Sequence, residues 1–479
     1  MKLSALKRAA LAAGVVSSTF IGVTTGQAQA VDSLLDKLVD KGVLTSKEAG
    51  ELREESDRNF TKAYQVKSGM PDWVTALKIN GDFRGRYDGI FFDNDVNTRT
   101  VNPTTGAVTP NAAVDRSRFR YRFRLGLTAV MAENFEVGLR LTSSDPSGSF
   151  GGDPISGNSS FQDNGSKKFI YVDLAYGKWS FLNSKPANAS ITVGKMENPF
   201  ASELLYDNDY TPEGAGLAGT FRFGDVHSIK VGAGAFMLDE ISLDSSDPYL
   251  LGAQVKWDAA WTKRLNTSLG AGIMSIQNVF ALTNGAVPNV QRGNSRSLVG
   301  TNSVNAPAYF FNPLFVTGSI GYTLDEVPFY SGAFPITLMG EYVNNPGADA
   351  SASVPGQAAY NGGNQAWTAG ITFGKAGKKK TWEVSYRYRY LGANFWYEEF
   401  VDSDFGATYQ SALARSDISS SSIYGAGTNV RGHLAKASYS PNNALTLSVS
   451  YALSTLIQAV PSGSESQTGR LIVDAVLKF

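Results

Sequence analysis

The chain has 479 residues, with 43 basic and 43 acidic side chains and no cysteine. The missing cysteines exclude a disulfide framework, a thiolate metal site and a cysteine nucleophile, and the balanced charge gives no reason to expect a nucleic-acid partner. Forty-nine glycines, 21 tyrosines and 27 phenylalanines, with charged residues held to 18%, suit many strands and turns rather than a helical bundle.

Residues 1–30 read as a signal peptide. Lys2, Lys7 and Arg8 precede an apolar stretch from Ala9 to Val23, and Ala28-Gln29-Ala30 is a small-x-small cleavage site. A membrane-anchoring helix needs about 18 to 20 consecutive apolar residues, and Ser17, Ser18 and Thr19 break this stretch. Removing the signal takes away those three positive charges and leaves 40 basic against 43 acidic side chains. Every later apolar run is interrupted within a few positions. A secreted chain of this kind can be integral to a membrane only as a closed barrel, because lipid leaves no other way to satisfy backbone N–H and C=O groups.

Residues 31–59 form a unit unlike the rest. Leu34, Leu35, Leu38 and Val39 fall at helical spacing, Gly42 ends that run, and Thr45 with Glu48 makes a capping box that opens a second, charged helix. Such a hairpin is too short to be stable alone. It reads as a periplasmic spacer, a self-associating coiled coil or a contact for a periplasmic partner. A linker, residues 60–74, leads to the barrel expected over residues 75–479.

From Leu77 the period changes from 3.6 to 2. Leu77, Ile79, Phe83 and Tyr87 alternate with Lys78, Asn80, Asp82, Arg84 and Arg86. The next strand is sharper: Phe119, Tyr121, Phe123, Leu125 and Leu127 take the odd positions, and Arg116, Arg118, Arg120, Arg122 and Arg124 the even ones. Similar alternation recurs at Phe135 to Leu141, Ile229 to Met237, Leu265 to Ile273, Trp367 to Phe373, Trp382 to Tyr390, Leu445 to Leu453 and Leu471 to Phe479. Short connections, such as Ala132-Glu133-Asn134, alternate with long polar ones, such as residues 282–308 and 392–427. That alternation is the pattern of a bacterial outer-membrane barrel. The fold class predicted is therefore all-β, a transmembrane antiparallel β-barrel of about 16 strands, with 14 or 18 as the alternatives, preceded by the helical hairpin. An even count puts both mature termini in the periplasm.

A soluble β-rich protein would also alternate. Against it stand segments approaching the roughly 9 to 11 residues that a tilted strand needs to cross a bilayer. Aromatics also gather near strand ends, at Tyr386, Tyr388, Tyr390, Trp396 and Tyr397, as interfacial girdles do, and the chain ends on Phe479. A terminal aromatic closing an amphipathic strand, here RLIVDAVLKF, is expected to act as an assembly signal. The partners this implies are outer-membrane lipid and the barrel-assembly machinery.

Several stretches, taken in order, resemble the bacterial putative-porin family: LLDKLVDKGVLTSKEAGELREE, PDWVTALKINGDFRGRY, DRSRFRYRFRLGL, ITVGKMENPF followed by DNDYTPEGAG, WEVSYRYRYLGA, and DSDFG with YGAGTNVRGH. The likeness covers nearly the whole mature sequence. It implies a pore-forming outer-membrane protein with a short periplasmic helical segment, and it leaves the permeant solute open. The interval of about twenty residues between Asp402-Ser403-Asp404-Phe405-Gly406 and Gly425 is longer than the family pattern implies, so that external loop is expected to be extended here.

Only the aromatic face of the second strand can tolerate lipid, so Arg116, Arg118, Arg120, Arg122 and Arg124 should face the lumen, with Arg84 and Arg86 on the strand before. The bland alternative is a merely solvated wall. The third external connection, ENPFASELLYDNDYTPEGAG, holds Glu197, Glu203, Asp207, Asp209 and Glu213 and no lysine or arginine. Folded inward, it would set an acidic side against the basic ladder; the alternatives are an exposed acidic loop or a divalent-cation site. Catalysis has only His227 and His433 to draw on, and no phosphate loop or HExxH motif occurs. No cofactor and no resident metal are expected. The reading is a diffusion porin, not an enzyme, for small hydrophilic solutes and ions, and a homotrimer by analogy. Its rivals are a channel selective for sugars, phosphate or dicarboxylates, a lipid hydrolase resting on His433, and a structural tether.

Overall fold

The computed structural model describes residues 71–92, 97–101, 108–112, 115–145, 155–242, 245–283, 286–287, 293–299, 304–348, 363–406, 409–410, 423–424, 427–457 and 467–479. The signal segment, the helical hairpin of residues 31–59 and most of the linker lie outside the described residues. Two compact units divide at Val74, and the second, Thr75–Phe479, is the barrel.

Sixteen long strands make up the wall. They are β1 (Val74–Phe92), β2 (Arg116–Met131), β3 (Phe135–Ser144), β4 (Phe169–Asn183), β5 (Ala187–Lys195), β6 (Glu213–Phe223), β7 (His227–Met237) and β8 (Tyr249–Ala260). The second half comprises β9 (Leu265–Gln277), β10 (Leu314–Leu324), β11 (Phe334–Asn344), β12 (Gln365–Gly374), β13 (Thr381–Leu391), β14 (Val430–Ser440), β15 (Leu445–Leu456) and β16 (Gln467–Lys478). Each pairs with its neighbour in sequence, and β1 pairs antiparallel with β16 from Asp82↔Lys478 to Phe92↔Thr468, so the sheet closes on itself. Closure removes the unpaired edge that lipid would not tolerate. Among the described residues no helix is long and apolar enough to cross a membrane.

Turns of three to nine residues join the strands at one end, and loops of ten to 38 residues join them at the other. The tight turns place residues in the left-handed region, as at Glu133 (φ 59°), Asn134 (φ 64°) and Gly224 (φ 62°). Side chains alternate across the wall. Outward-facing Val193, Val255, Leu269, Val316, Leu338 and Val449 are left uncovered by the protein and form an apolar belt. Aromatic bands border it at both ends. Phe135 stacks on Trp179 (5.8 Å, 10°) and Trp257 meets Trp261 (5.9 Å) near the short turns, while Phe119, Phe169, Tyr342 and Trp367 lie near the long loops. This is the exterior of a barrel that sits in a bilayer.

Two of the aromatics expected in a girdle belong elsewhere. Trp396 and Tyr397 are 0% and 2% exposed and join a cluster with Phe311, Phe395 and Phe400. The loop between β13 and β14 carries them inward, away from the membrane face, because its first fifteen residues fold against inward-facing wall side chains.

At the seam, Phe479 adds a last antiparallel pairing: its N–H donates to Gly81 O (3.1 Å), and Gly81 N–H donates to Phe479 O (3.0 Å). Its ring stacks on Phe123 at 6.4 Å and lies over Gly81. A Cβ at position 81 would stand 2.4 Å from both Arg124 O and Phe479 Cζ, whereas one at Gly85 would find its nearest neighbour at 3.9 Å. Gly81→Ala is therefore expected to destabilise the folded barrel by about 1–3 kcal/mol through overpacking, and Gly85→Ala far less. Denaturant midpoints of the two variants in detergent micelles check this. Equal midpoints would show that the close approach at the seam carries no strain.

Candidate functional site

The inward face of β1, β2 and β16 gathers guanidiniums and carboxylates. Alternation turns Asp82, Arg84, Arg86 and Asp88 of β1 inward, with the arginines of β2 beside them and Arg470 and Asp474 of β16 on the other side. Strands this close place opposite charges within bonding reach. Arg118 donates to Asp88 from Nε (2.9 Å) and Nη2 (2.7 Å). Arg470 reaches the same carboxylate at 2.9 and 3.1 Å. Arg86 holds Asp474 through Nε (2.8 Å) and Nη2 (2.9 Å). Arg124 donates to Asp82 (2.6 Å), which Arg122 also meets at 3.2 Å. Arg84 and Arg120 instead meet the segment beside the short strand Ser159–Ser160: Arg84 donates to Asn158 Oδ1 (2.6 Å), and Arg120 to Asn158 O (3.3 Å). Arg116 is half-buried at the loop end of the same face.

The third loop, residues 196–212, lies inside the barrel. Phe200, Leu204, Leu205 and Tyr206 pack on inward-facing Phe236, Leu250 and Met274. Gln254 of β8 grips the loop by both backbone groups of Ala201, at 2.8 Å each. Glu341 of β11 accepts from Ser202 Oγ and from Glu203 N (2.9 Å). On the opposite side of the ring, Asp209 accepts from Arg122 (2.6 Å) and Arg124 (3.4 Å) and lies 3.8 Å from Arg84. The loop thus spans the lumen from the β8–β11 wall to the arginine wall.

Of the five acids expected on this loop, Asp209 is therefore the one that meets the ladder. Glu203 faces Arg387 (3.2 Å) and Arg389 (3.9 Å) of β13. Asp207 fastens the loop to the seventh loop: its N–H donates to Phe400 O (2.6 Å), and its carboxylate accepts from Ser403 N (3.3 Å). Glu197 pairs with Arg140, and Glu213, at the start of β6, with Lys195 (2.9 Å).

Residues 392–406, the first part of the seventh loop, enter the lumen as well. Arg296 donates to Glu398 from Nε (2.9 Å) and Nη2 (2.8 Å), both side chains being at most 1% exposed. Asn294 donates to Ala393 O (2.7 Å) and Trp396 O (2.8 Å), and Asn345 to Asn394 O (2.8 Å). Further along, Asp402 accepts from Arg389 (2.7 Å), and Asp404 accepts from Arg86 Nη1 with both oxygens (2.7 and 2.8 Å). Burial pushes the Asp404 carboxyl up, but the Arg86 and Arg470 guanidiniums outweigh it and hold the group well below the usual carboxylate range. Beside the two loops a cavity of about 590 Å³ remains, lined by Asp145, Asp173, Lys195, Asp209, Glu213 and Glu399 among others.

Of the two histidines, His227 sits among Trp257 and Trp261 near the short turns. The Nδ1 of His433 shares a hydrogen bond with Tyr386 Oη (2.7 Å). The site residues expected from the sequence did not include Asp82, Asp88, Asp474 and Arg470, whose alternation was visible, or Arg296, Asp402 and Asp404, whose loops carry no period.

A closed barrel with an apolar, aromatic-banded exterior and an ion-paired interior is an outer-membrane barrel of the pore-forming class. The family described as putative porin matches over residues 61–313 and 308–468, and the chain belongs to that family. Among solved structures, the chain is similar to OprB of Pseudomonas putida, with 10% identity, 88% of this chain and 97% of that chain covered, and a TM-score of 0.47. The outer-membrane channel DcaP of Acinetobacter baumannii follows at 12% identity, with coverage of 84% and 97% and a TM-score of 0.40. OpdQ of Pseudomonas aeruginosa matches at 12% identity, with coverage of 85% and 100% and a TM-score of 0.37. No curated protein matches the chain.

The Arg296–Glu398 pair gives a direct test of how the seventh loop is held. Arg296→Met leaves Glu398 buried without its guanidinium, at an expected cost of about 3–5 kcal/mol, and adding Glu398→Met should recover most of it. Hydrogen exchange over residues 393–406 should speed up in the single variant and slow again in the double one. Unchanged protection in R296M would show that the docked segment does not depend on this pair.

Proposed function

We propose that this porin carries small hydrophilic solutes and ions by passive diffusion, with a charged constriction setting size and charge preference. The observation that carries the reading is the division of the wall: uncovered apolar side chains outside, and arginines and carboxylates inside, with the third loop crossing between opposite walls. A water-filled path needs such a lining, and charges of one sign grouped along a low-dielectric wall act together to give potentials of several kT. Arg118, Arg120 and Arg122 supply the positive side, with Arg84, Arg86, Arg116 and Arg124 extending it. Among the loop acids, Asp209 opposes them most closely, and Glu203 and Asp207 lie along the same loop.

A substrate-selective channel is the second reading. It is favoured by the inward course of residues 392–406, which leaves the lumen narrower than the third loop alone would. Both chain ends are proposed to lie in the periplasm. The barrel is proposed to form a homotrimer, with residues 31–59 as its coiled coil or as a spacer, and Phe479 to be read by the assembly machinery. Deleting residues 32–58 should abolish crosslinked trimers if the hairpin holds them together, and removing Phe479 should lower the amount of assembled barrel while leaving secretion intact. Unchanged trimers make the hairpin a spacer, and unchanged assembly removes the signal role of Phe479.

The selectivity reading is tested in planar bilayers under a salt gradient. Neutralising Arg118, Arg120 and Arg122 to Gln should shift the zero-current potential toward cations by a factor of several in the permeability ratio. Changing Glu203, Asp207 and Asp209 to Gln or Asn should shift it toward anions. Both shifts should shrink at 1 M salt, where screening falls to about 3 Å. Wild-type selectivity in a folded, conducting arginine variant would place the narrowest point away from this wall.

A further inference from the structure

Asp404, like Asp209 of the third loop, differs from the carboxylates that the arginine wall itself carries. Asp82, Asp88 and Asp474 belong to β1 and β16 and are part of the wall itself, whereas Asp404 arrives on the seventh loop. It lies in front of two guanidiniums: both its oxygens accept from Arg86, and Arg470 Nη2 stands 3.5 Å from Oδ1. Arg470 Nη1 also donates to the backbone carbonyl of the adjacent Ser403.

Those two arginines are held from behind. Arg86 spends Nε and Nη2 on Asp474, and Arg470 spends Nε and Nη2 on Asp88. Their outward donors therefore keep their places whether or not Asp404 is present, which is the pre-organisation that recognition of a carboxylate requires. The arginine side chains are 4% and 7% exposed, while the Asp404 side chain is 38% exposed. The loop carboxylate is thus the partner that lumen water reaches.

We infer that Arg86 and Arg470 form a carboxylate-binding subsite in the lumen, and that Asp404 is its built-in occupant, which a permeating small carboxylate displaces. The inference rests on the diffusion-pore reading above and names a class of solute for it. A solute carboxylate makes the same bonds as Asp404, so the exchange turns on the local concentration that the loop confers on Asp404. Removing that internal competitor should strengthen binding of a free carboxylate, the reverse of what loss of an ordinary structural acid would do.

Acetate is the simplest probe. In planar bilayers at pH 7 and constant ionic strength, replacing chloride with acetate should change the conductance of the Asp404→Asn channel at a half-effect concentration roughly tenfold below that of the wild type. Adding Arg86→Gln to D404N should abolish the effect. In the wild-type protein, acetate, compared with equal chloride, should speed hydrogen exchange of residues 402–406; this arm needs no variant to fold. The inference is overturned if channels of ordinary conductance show the same acetate dependence with and without Asp404, if R86Q/D404N keeps the D404N response, or if acetate leaves exchange at 402–406 unchanged. Failure of the wild-type protein to form channels would bring down the diffusion reading, and this inference with it.

Discussion

A guanidinium that points into a protein-walled space must be answered by a carboxylate or a carbonyl oxygen, because an unmatched buried charge is costly. That requirement organises the interior of this barrel. Backbone pairing alone would close the sheet and leave the arginines of β2 facing one another's repulsion. Asp82 and Asp88 on one neighbouring strand, the Asn158 segment beside β2 and Asp209 of the third loop answer them, and Asp404 of the seventh loop answers Arg86 of β1 and Arg470 of β16. The loops are thus recruited into the lumen by the same charges that line it, and they arrive with apolar side chains that give the interior a packed core.

The two inward loops depend on each other. Asp207 of the third loop receives Ser403 and reaches Phe400, so the segment bearing Asp402 and Asp404 is fixed partly through its neighbour. Gln254 and Glu341 secure the far end of the third loop, and Arg296 with Glu398 secures the root of the seventh. Each fastening joins residues far apart in sequence.

Much of the fold was legible because a strand in a membrane wall writes its two faces into alternate residues. Phe119, Tyr121 and Phe123 against Arg118, Arg120 and Arg122 gave the orientation of β2, and the alternation of short and long connections gave sixteen strands. The same parity rule assigns Asp82, Asp88 and Asp474 to the lumen, so the wall's own counter-charges were readable. The loops were not. Trp396 and Tyr397 resemble girdle aromatics when only their nearness to a strand end is known, and nothing periodic separates a buried loop residue from an interfacial one. Arg296 and Glu398 are 102 positions apart, a distance at which one sequence carries no signal of pairing.

The proposed pore requires that alternate residues of β2 line the solute path while the others face lipid. The chain has no cysteine, so single cysteines at positions 118 to 123 can be compared without background. Current through each variant, recorded while a charged, water-soluble thiol reagent is added, should fall at 118, 120 and 122 and hold steady at 119, 121 and 123. Equal reaction at both sets, or block confined to the odd positions, would contradict the account.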